Sequence, residues 1–81
     1  MGIRDMDRHE VKDYYRGHEI VGHVEHNLDL DTWSWRARVT KVSALRGYSQ
    51  IFTSNQTFPT EAEAIEDLLR QSRHYIDIRL Q

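Results

Sequence analysis

The amino-acid sequence predicts an α+β domain: a three-stranded antiparallel sheet with a C-terminal helix packed on one face. Three observations carry that expectation. Apolar residues recur at three- and four-residue steps over about residues 61–78, whereas between residues 19 and 54 they tend to alternate with polar ones. Thr60 followed by Glu63 marks a helix start between the two regimes. Two of the alternating segments also align as a hairpin whose apolar residues all fall on one face. With 81 residues there is room for a single domain, divided into residues 1–14 as an arm or short helix, 15–58 as sheet and 60–79 as helix.

In residues 3–15, Ile3, Met6, Val11, Tyr14 and Tyr15 form a broken helical pattern, compatible with a short helix or a loose arm. The first strand is expected over Glu19–Asn27, with Ile20, Gly22 and Val24 on one face and Val21, His23 and Glu25 on the other. Thr32–Val42 alternates strictly, Trp33, Trp35, Ala37 and Val39 against Ser34, Arg36, Arg38 and Thr40. Leu28-Asp29-Leu30-Asp31 is the hairpin loop between them. If Asn27 pairs with Thr32, then Val24 faces Trp35, Gly22 faces Ala37 and Ile20 faces Val39. A third strand, about Tyr48–Ser54, follows a turn at Leu45-Arg46-Gly47. Whether Ile51 or Phe52 faces the core stays open, because the loop length is ambiguous by one residue.

The helix is expected over about residues 61–78, with Ala62, Ile65, Leu69, Ser72 and Ile76 on its inner stripe, widened by Leu68 and Tyr75. Glu61, Glu63, Glu66 and Asp67 crowd its first turns and Arg70, Arg73 and Arg79 come later, which suits the macrodipole. Glu66 with Arg70 is a favourable i,i+4 pair. Trp35 is expected between sheet and helix, near Ile65 and Leu69.

Composition excludes several function classes. There are no cysteines, hence no disulfide scaffold, Cys-ligated zinc site or thiol chemistry. No apolar run exceeds three residues, too short to span a bilayer, and Met1–Asp5 lacks the apolar stretch of a signal peptide. A cytoplasmic protein without membrane contact is expected. The net charge of −2 hides three blocks: −4 over residues 1–31, +4 over residues 32–58 and −2 over residues 59–81. The basic block, Arg36, Arg38, Lys41 and Arg46, could meet phosphates, but pairing with the acidic flanks of its own chain is favoured.

Chemical motifs fail on spacing. His18 and His23 stand five apart around Glu19, where the zinc-protease helix needs four, and on a strand they project to opposite faces. Arg36 beside His23 further opposes a cation. Asp29 and Asp31 lack the glycine and distant glutamate of a calcium loop and read as turn residues. Asn55-Gln56-Thr57 matches a glycosylation sequon that carries no meaning in a cytoplasmic chain. No catalytic residues, cofactor site or metal site are assigned, and an enzyme is not expected. Trp33 and Trp35 interleave with Arg36 and Arg38, but alternation separates aromatics from cations, against a single-strand nucleic-acid platform.

Four segments together resemble a group of small uncharacterised bacterial proteins built as a three-stranded meander followed by one helix. They are Tyr15-Arg16-Gly17-His18-Glu19-Ile20, Trp33-Ser34-Trp35, Phe58-Pro59-Thr60-Glu61-Ala62-Glu63-Ala64-Ile65 and Arg73-His74-Tyr75-Ile76-Asp77. The resemblance covers roughly residues 14–78 and implies that fold, with no activity to carry over. If residues 3–13 were helical, the order helix, three strands, helix would resemble double-stranded-RNA-binding domains. In those domains a lysine-rich helix start clamps phosphate, whereas here Glu61, Glu63, Glu66 and Asp67 would repel it.

The expected function is a non-enzymatic interaction module that self-associates, with an unidentified protein partner as the broader case. The alternative is a nucleic-acid-associated protein using the basic strand face, the disfavoured reading. The candidate surface is Arg36, Arg38, Ser49, Ile51 and Thr53. From Gly47 to Thr60 no residue is charged, and this stretch holds the strand that a meander leaves at its edge. Either residues 3–15 cover that edge or a second molecule does, giving a homodimer.

Overall fold

The structure, a computed structural model, describes residues 8–42 and 49–80. Its elements are β1 (Arg8–Tyr15), β2 (His18–Asn27), β3 (Thr32–Lys41), β4 (Ser49–Thr53) and α1 (Glu61–Arg79). The strands form one four-stranded antiparallel sheet in the order β1-β2-β3-β4. The expected three-stranded sheet therefore gains a strand, and residues 8–15 are neither helix nor loose arm. Residues 1–7, Arg46 and the turn around it lie outside the described residues.

β1 is a strand because the chain reverses sharply at Arg16-Gly17. Both residues have positive φ, 47° and 80°, the twist a two-residue hairpin turn requires and which glycine supplies without strain. Tyr15 is thereby set against His18, and Val11 against Gly22. The inward positions of β1 hide its periodicity, for they are His9, Val11, Asp13 and Tyr15. Their polar members are satisfied from the helix: His9 Nδ1 lies 2.8 Å from Glu61 Oε2, Arg73 donates to Asp13 at 2.7 Å and the Tyr15 hydroxyl donates to Asp77 at 2.9 Å. The apolar alternation is broken because polar contacts of His9 and Asp13 join β1 to α1 beside the packing of Val11 and Tyr15 against the core.

The β2–β3 hairpin has the expected register, with Asn27 opposite Thr32, Val24 opposite Trp35, Gly22 opposite Ala37 and Ile20 opposite Val39. In its loop, Asn27 Oδ1 accepts from the N–H groups of Asp29 (3.2 Å) and Leu30 (3.4 Å). His26 stacks on Trp33 with ring centroids 4.5 Å apart and contacts Asp31 at 2.9 Å. Gly22 lets the helix approach. A methyl group built there would lie 2.6 Å from Leu68 Cδ1 and 3.2 Å from the Arg36 carbonyl.

β4 settles the open register. Phe52 lies opposite Ala37 and is half-buried, while Ile51 lies opposite Arg38 on the far face and is exposed. Beyond β4 the chain leaves β3 and returns at Phe58, which exchanges two 2.8 Å hydrogen bonds with Trp33. α1 then begins as expected: the Thr60 hydroxyl accepts from the Glu63 N–H at 3.2 Å. The Glu63 carboxylate accepts from the Thr60 hydroxyl, also at 3.2 Å.

The core is Ile20, Val24, Trp35, Ala37 and Val39 from the sheet with Ala64, Leu68 and Ile76 from the helix. The buried stripe is thus Ala64, Leu68, Ser72 and Ile76 at four-residue steps, with Asp67 buried beside Leu68 and with Ile65 and Leu69 at its margin. Ala62, expected on the stripe, is exposed. Among the described residues no helix is long and apolar enough to cross a membrane.

Candidate interaction surface

The helix covers one face of the sheet and leaves the other open. Alternation assigns Arg36, Arg38 and Thr40 of β3 and Ser49, Ile51 and Thr53 of β4 to the open face. All five residues singled out from sequence are therefore neighbours: Thr53 stands opposite Arg36, Ile51 opposite Arg38, and Ser49 opposite Thr40, hydroxyl to hydroxyl at 2.9 Å. Ile51 is 62% exposed. A shallow depression of about 310 Å³ runs beside it, floored by Val21 and rimmed by His23, Glu25, Arg36 and Arg38.

Arg36 and Arg38 have no ion pair among the described residues, contrary to the expected pairing of the basic block with its acidic flanks. The reason is geometric. The carboxylates of α1 lie under the opposite face, and the sheet stands between. Those acids pair instead with bases of the same flanks, Asp77 with Arg16 at 2.8 Å and Asp67 with Arg70 at 2.6 Å. Arg70 thus reaches Asp67 rather than the expected Glu66.

The two sheet edges differ in kind. β1 carries Arg8, Glu10, Lys12 and Asp13 in eight residues, a density of charge that resists pairing with another strand. β4, Ser-Gln-Ile-Phe-Thr, carries none. Of residues 3–15, one of the two covers weighed for β4, residues 8–15 lie on the opposite edge and do not reach it, and residues 3–7 lie outside the described residues.

On the helix side, β4 borders a groove of about 280 Å³ lined by Trp35, Phe52, Ser54, Asp67, Tyr75 and Ile78. Phe52 packs edge-on against Tyr75 with centroids 4.6 Å apart. At the floor, the Trp35 indole N–H donates to Asp67 Oδ2 at 2.9 Å. Asp67 is only 5% exposed, although its sequence position sets it among the acids that crowd the first turns and suit the macrodipole. Its position three residues after Ala64, on the inner stripe, was the signal for its burial.

A second polar cluster joins the β1–β2 turn to the end of the helix. Asp77 accepts from Arg16 and Tyr15, and the hydrogen bond from Arg16, then that from Tyr15, holds its carboxyl below the ordinary 3.8. The same hydrogen bond to Asp77, aided by desolvation, raises the Tyr15 phenol above 10.0. His18 and His23 do face opposite ways, His18 buried with Nδ1 3.0 Å from the Arg16 carbonyl and His23 on the open face. Among the described residues no three His, Asp or Glu side chains converge as a metal site. No protein-family model, curated protein or solved structure matches the chain.

Proposed function

We propose that the protein is a non-enzymatic interaction module that self-associates through β4 and the adjoining open face, using Arg36, Arg38, Ser49, Ile51 and Thr53. The observation that carries this reading is the contrast between the edges: β1 is dense in charge, while β4 is uncharged and carries an exposed isoleucine at its centre. Natural sheets blunt an exposed edge with charge, and an edge left neutral is available for pairing with another chain. Sedimentation velocity on the full chain tests it. A dimer at high micromolar concentration is expected, and a parent that sediments as a monomer there overturns it.

A second reading draws on Arg36 and Arg38, which have no ion pair among the described residues, with Lys41 exposed at the end of β3. These cations would meet phosphates of a nucleic acid. Glu25 on the rim of the same depression and the small number of cations argue for weak contact only. Fluorescence anisotropy against labelled single- and double-stranded oligonucleotides separates the readings. Binding that persists at physiological salt and falls steeply as salt rises would favour nucleic acid.

A further inference from the structure

We infer that the partner of β4 is β4 of a second copy, antiparallel about a two-fold axis through Ile51, so that two sheets become one of eight strands. This rests on the self-association proposed above and adds its register. The hydrogen-bond phase of the strand sets the choice. The Ser54 N–H donates to the Trp35 carbonyl at 2.9 Å, so Gln50, Phe52 and Ser54 turn their main-chain groups toward β3. Ser49, Ile51 and Thr53 turn theirs outward. In an antiparallel pair only outward-turned residues can exchange both bonds. An axis at Ile51 sets Ile51 against itself and Ser49 against Thr53 of the second copy, engaging every outward group in roughly six bonds. An axis one residue away, at Gln50 or Phe52, yields roughly four.

The side chains agree with that register. On the open face the strand reads Ser49, Ile51, Thr53, nearly the same in both directions, so its reversed copy matches it pair by pair. The two exposed isoleucines cover each other, and hydroxyls meet hydroxyls, as Ser49 and Thr40 already do within the molecule. A foreign strand would need that same spacing, while a second copy has it by construction. Charge does not oppose the union. Arg38 stands one strand inside β4, so the two copies of Arg38 are separated by three strand spacings, about 14 Å, beyond the screening length of about 8 Å at physiological salt. On the helix face, Phe52 and the apolar rim of the groove, Tyr75 and Ile78, lie beside the junction.

The absence of native cysteine makes single thiols diagnostic. Ile51→Cys, Ser49→Cys and Thr53→Cys chains would each be treated with a bis-maleimide of about 8 Å reach, long enough for directly opposed residues at about 5.5 Å. The register predicts efficient self-linking of Ile51→Cys. It predicts little self-linking of Ser49→Cys or Thr53→Cys alone and efficient linking when those two are mixed. Ile51→Lys should convert the dimer to monomer, with its far-ultraviolet circular dichroism unchanged because Ile51 lies outside the core. If the parent sediments as a dimer but Ile51→Cys fails to link, or Ser49→Cys links to itself, the register is wrong and self-association stands. If the parent is a monomer, both proposals fall together.

Discussion

Trp35 joins the two halves of the molecule by two different forces. Its ring fills the space between sheet and helix, and its indole N–H occupies one oxygen of a buried carboxylate. Trp35→Ala should therefore cost about 3–5 kcal/mol in denaturant unfolding, a large share of the 5–15 kcal/mol typical of a domain. Trp35→Phe keeps most of the apolar bulk but leaves Asp67 Oδ2 without its donor, and should cost about 1–3 kcal/mol. Equal losses for the two variants would show that the hydrogen bond, not the packing, is what Trp35 supplies. Asp77 offers a residue-scale test of pH dependence. Its carboxyl is depressed in the folded state, so its contribution is present above the ordinary carboxylate value of 3.8 and is lost as pH falls through the lowered one. Tyr15 acts in the opposite direction: with its phenol raised, its contribution holds below about 10 and fades as pH rises beyond it. Asp77→Asn should remove this cluster's share of the acid limb, measured as a smaller fall in melting temperature on acidification.

At the scale of elements, the sequence made legible whatever was written in apolar spacing. The register of the β2–β3 hairpin followed from matching one apolar face to another, and the start of α1 followed from the chemistry of Thr60 and Glu63. Thr60→Ala should cost about 1 kcal/mol, seen as a lowered denaturant midpoint. β1 was not legible for the converse reason. Its inward residues His9, Asp13 and Tyr15 are polar, and what satisfies them comes from residues 61, 73 and 77, too distant in sequence for any local pattern to reveal. The face of β4 was ambiguous because one residue of loop length exchanges Ile51 for Phe52, and only the fixed position of Ala37 decides between them. Asp67 was misplaced because an acid in a first turn ordinarily serves the helix dipole, and the indole that claims it lies 32 residues away. Gly22 marks where sheet and helix come closest. Gly22→Ala forces a methyl group against Leu68 and should destabilise by about 1–3 kcal/mol, whereas a loss near zero would mean that Leu68 swings aside freely.

At the scale of the whole molecule, the surface chosen from sequence is one contiguous patch because alternation on β3 and β4 places all five of its residues on the same side. What the sequence could not supply was the isolation of that patch. Only the fourth strand shows that residues 8–15 sit at the far edge, so that among the described residues no strand pairs with the outer side of β4. Nor could charge blocks reveal that the helix acids are screened from Arg36 and Arg38 by the sheet between them. Variants distant from β4 should leave association untouched. Leu30→Lys, at the exposed tip of the β2–β3 loop, should sediment as the parent does.

The ionic seam between β1 and α1 has a consequence for how the molecule comes apart. Apolar contacts persist when acid or salt is added, but the contacts of His9, Asp13 and Arg16 with the helix depend on charged carboxylates. Acidification should thus release β1 as a sub-global opening while the Ile20–Trp35–Leu68 core stays closed. Hydrogen exchange would report it as early loss of amide protection in residues 8–15 and in the β2 amides that bond them, while the amides joining β2 to β3 stay protected. Each opened molecule then bares the outer side of β2 as well as β4, two unpaired rims on opposite flanks. Head-to-tail stacking between unlike rims has no closing step, so under the β4 pairing proposed above, association that would close at two copies near neutrality should give way to filament growth in acid. Light scattering that stays flat through the loss of β1 protection would show that the rim of β2 guards itself.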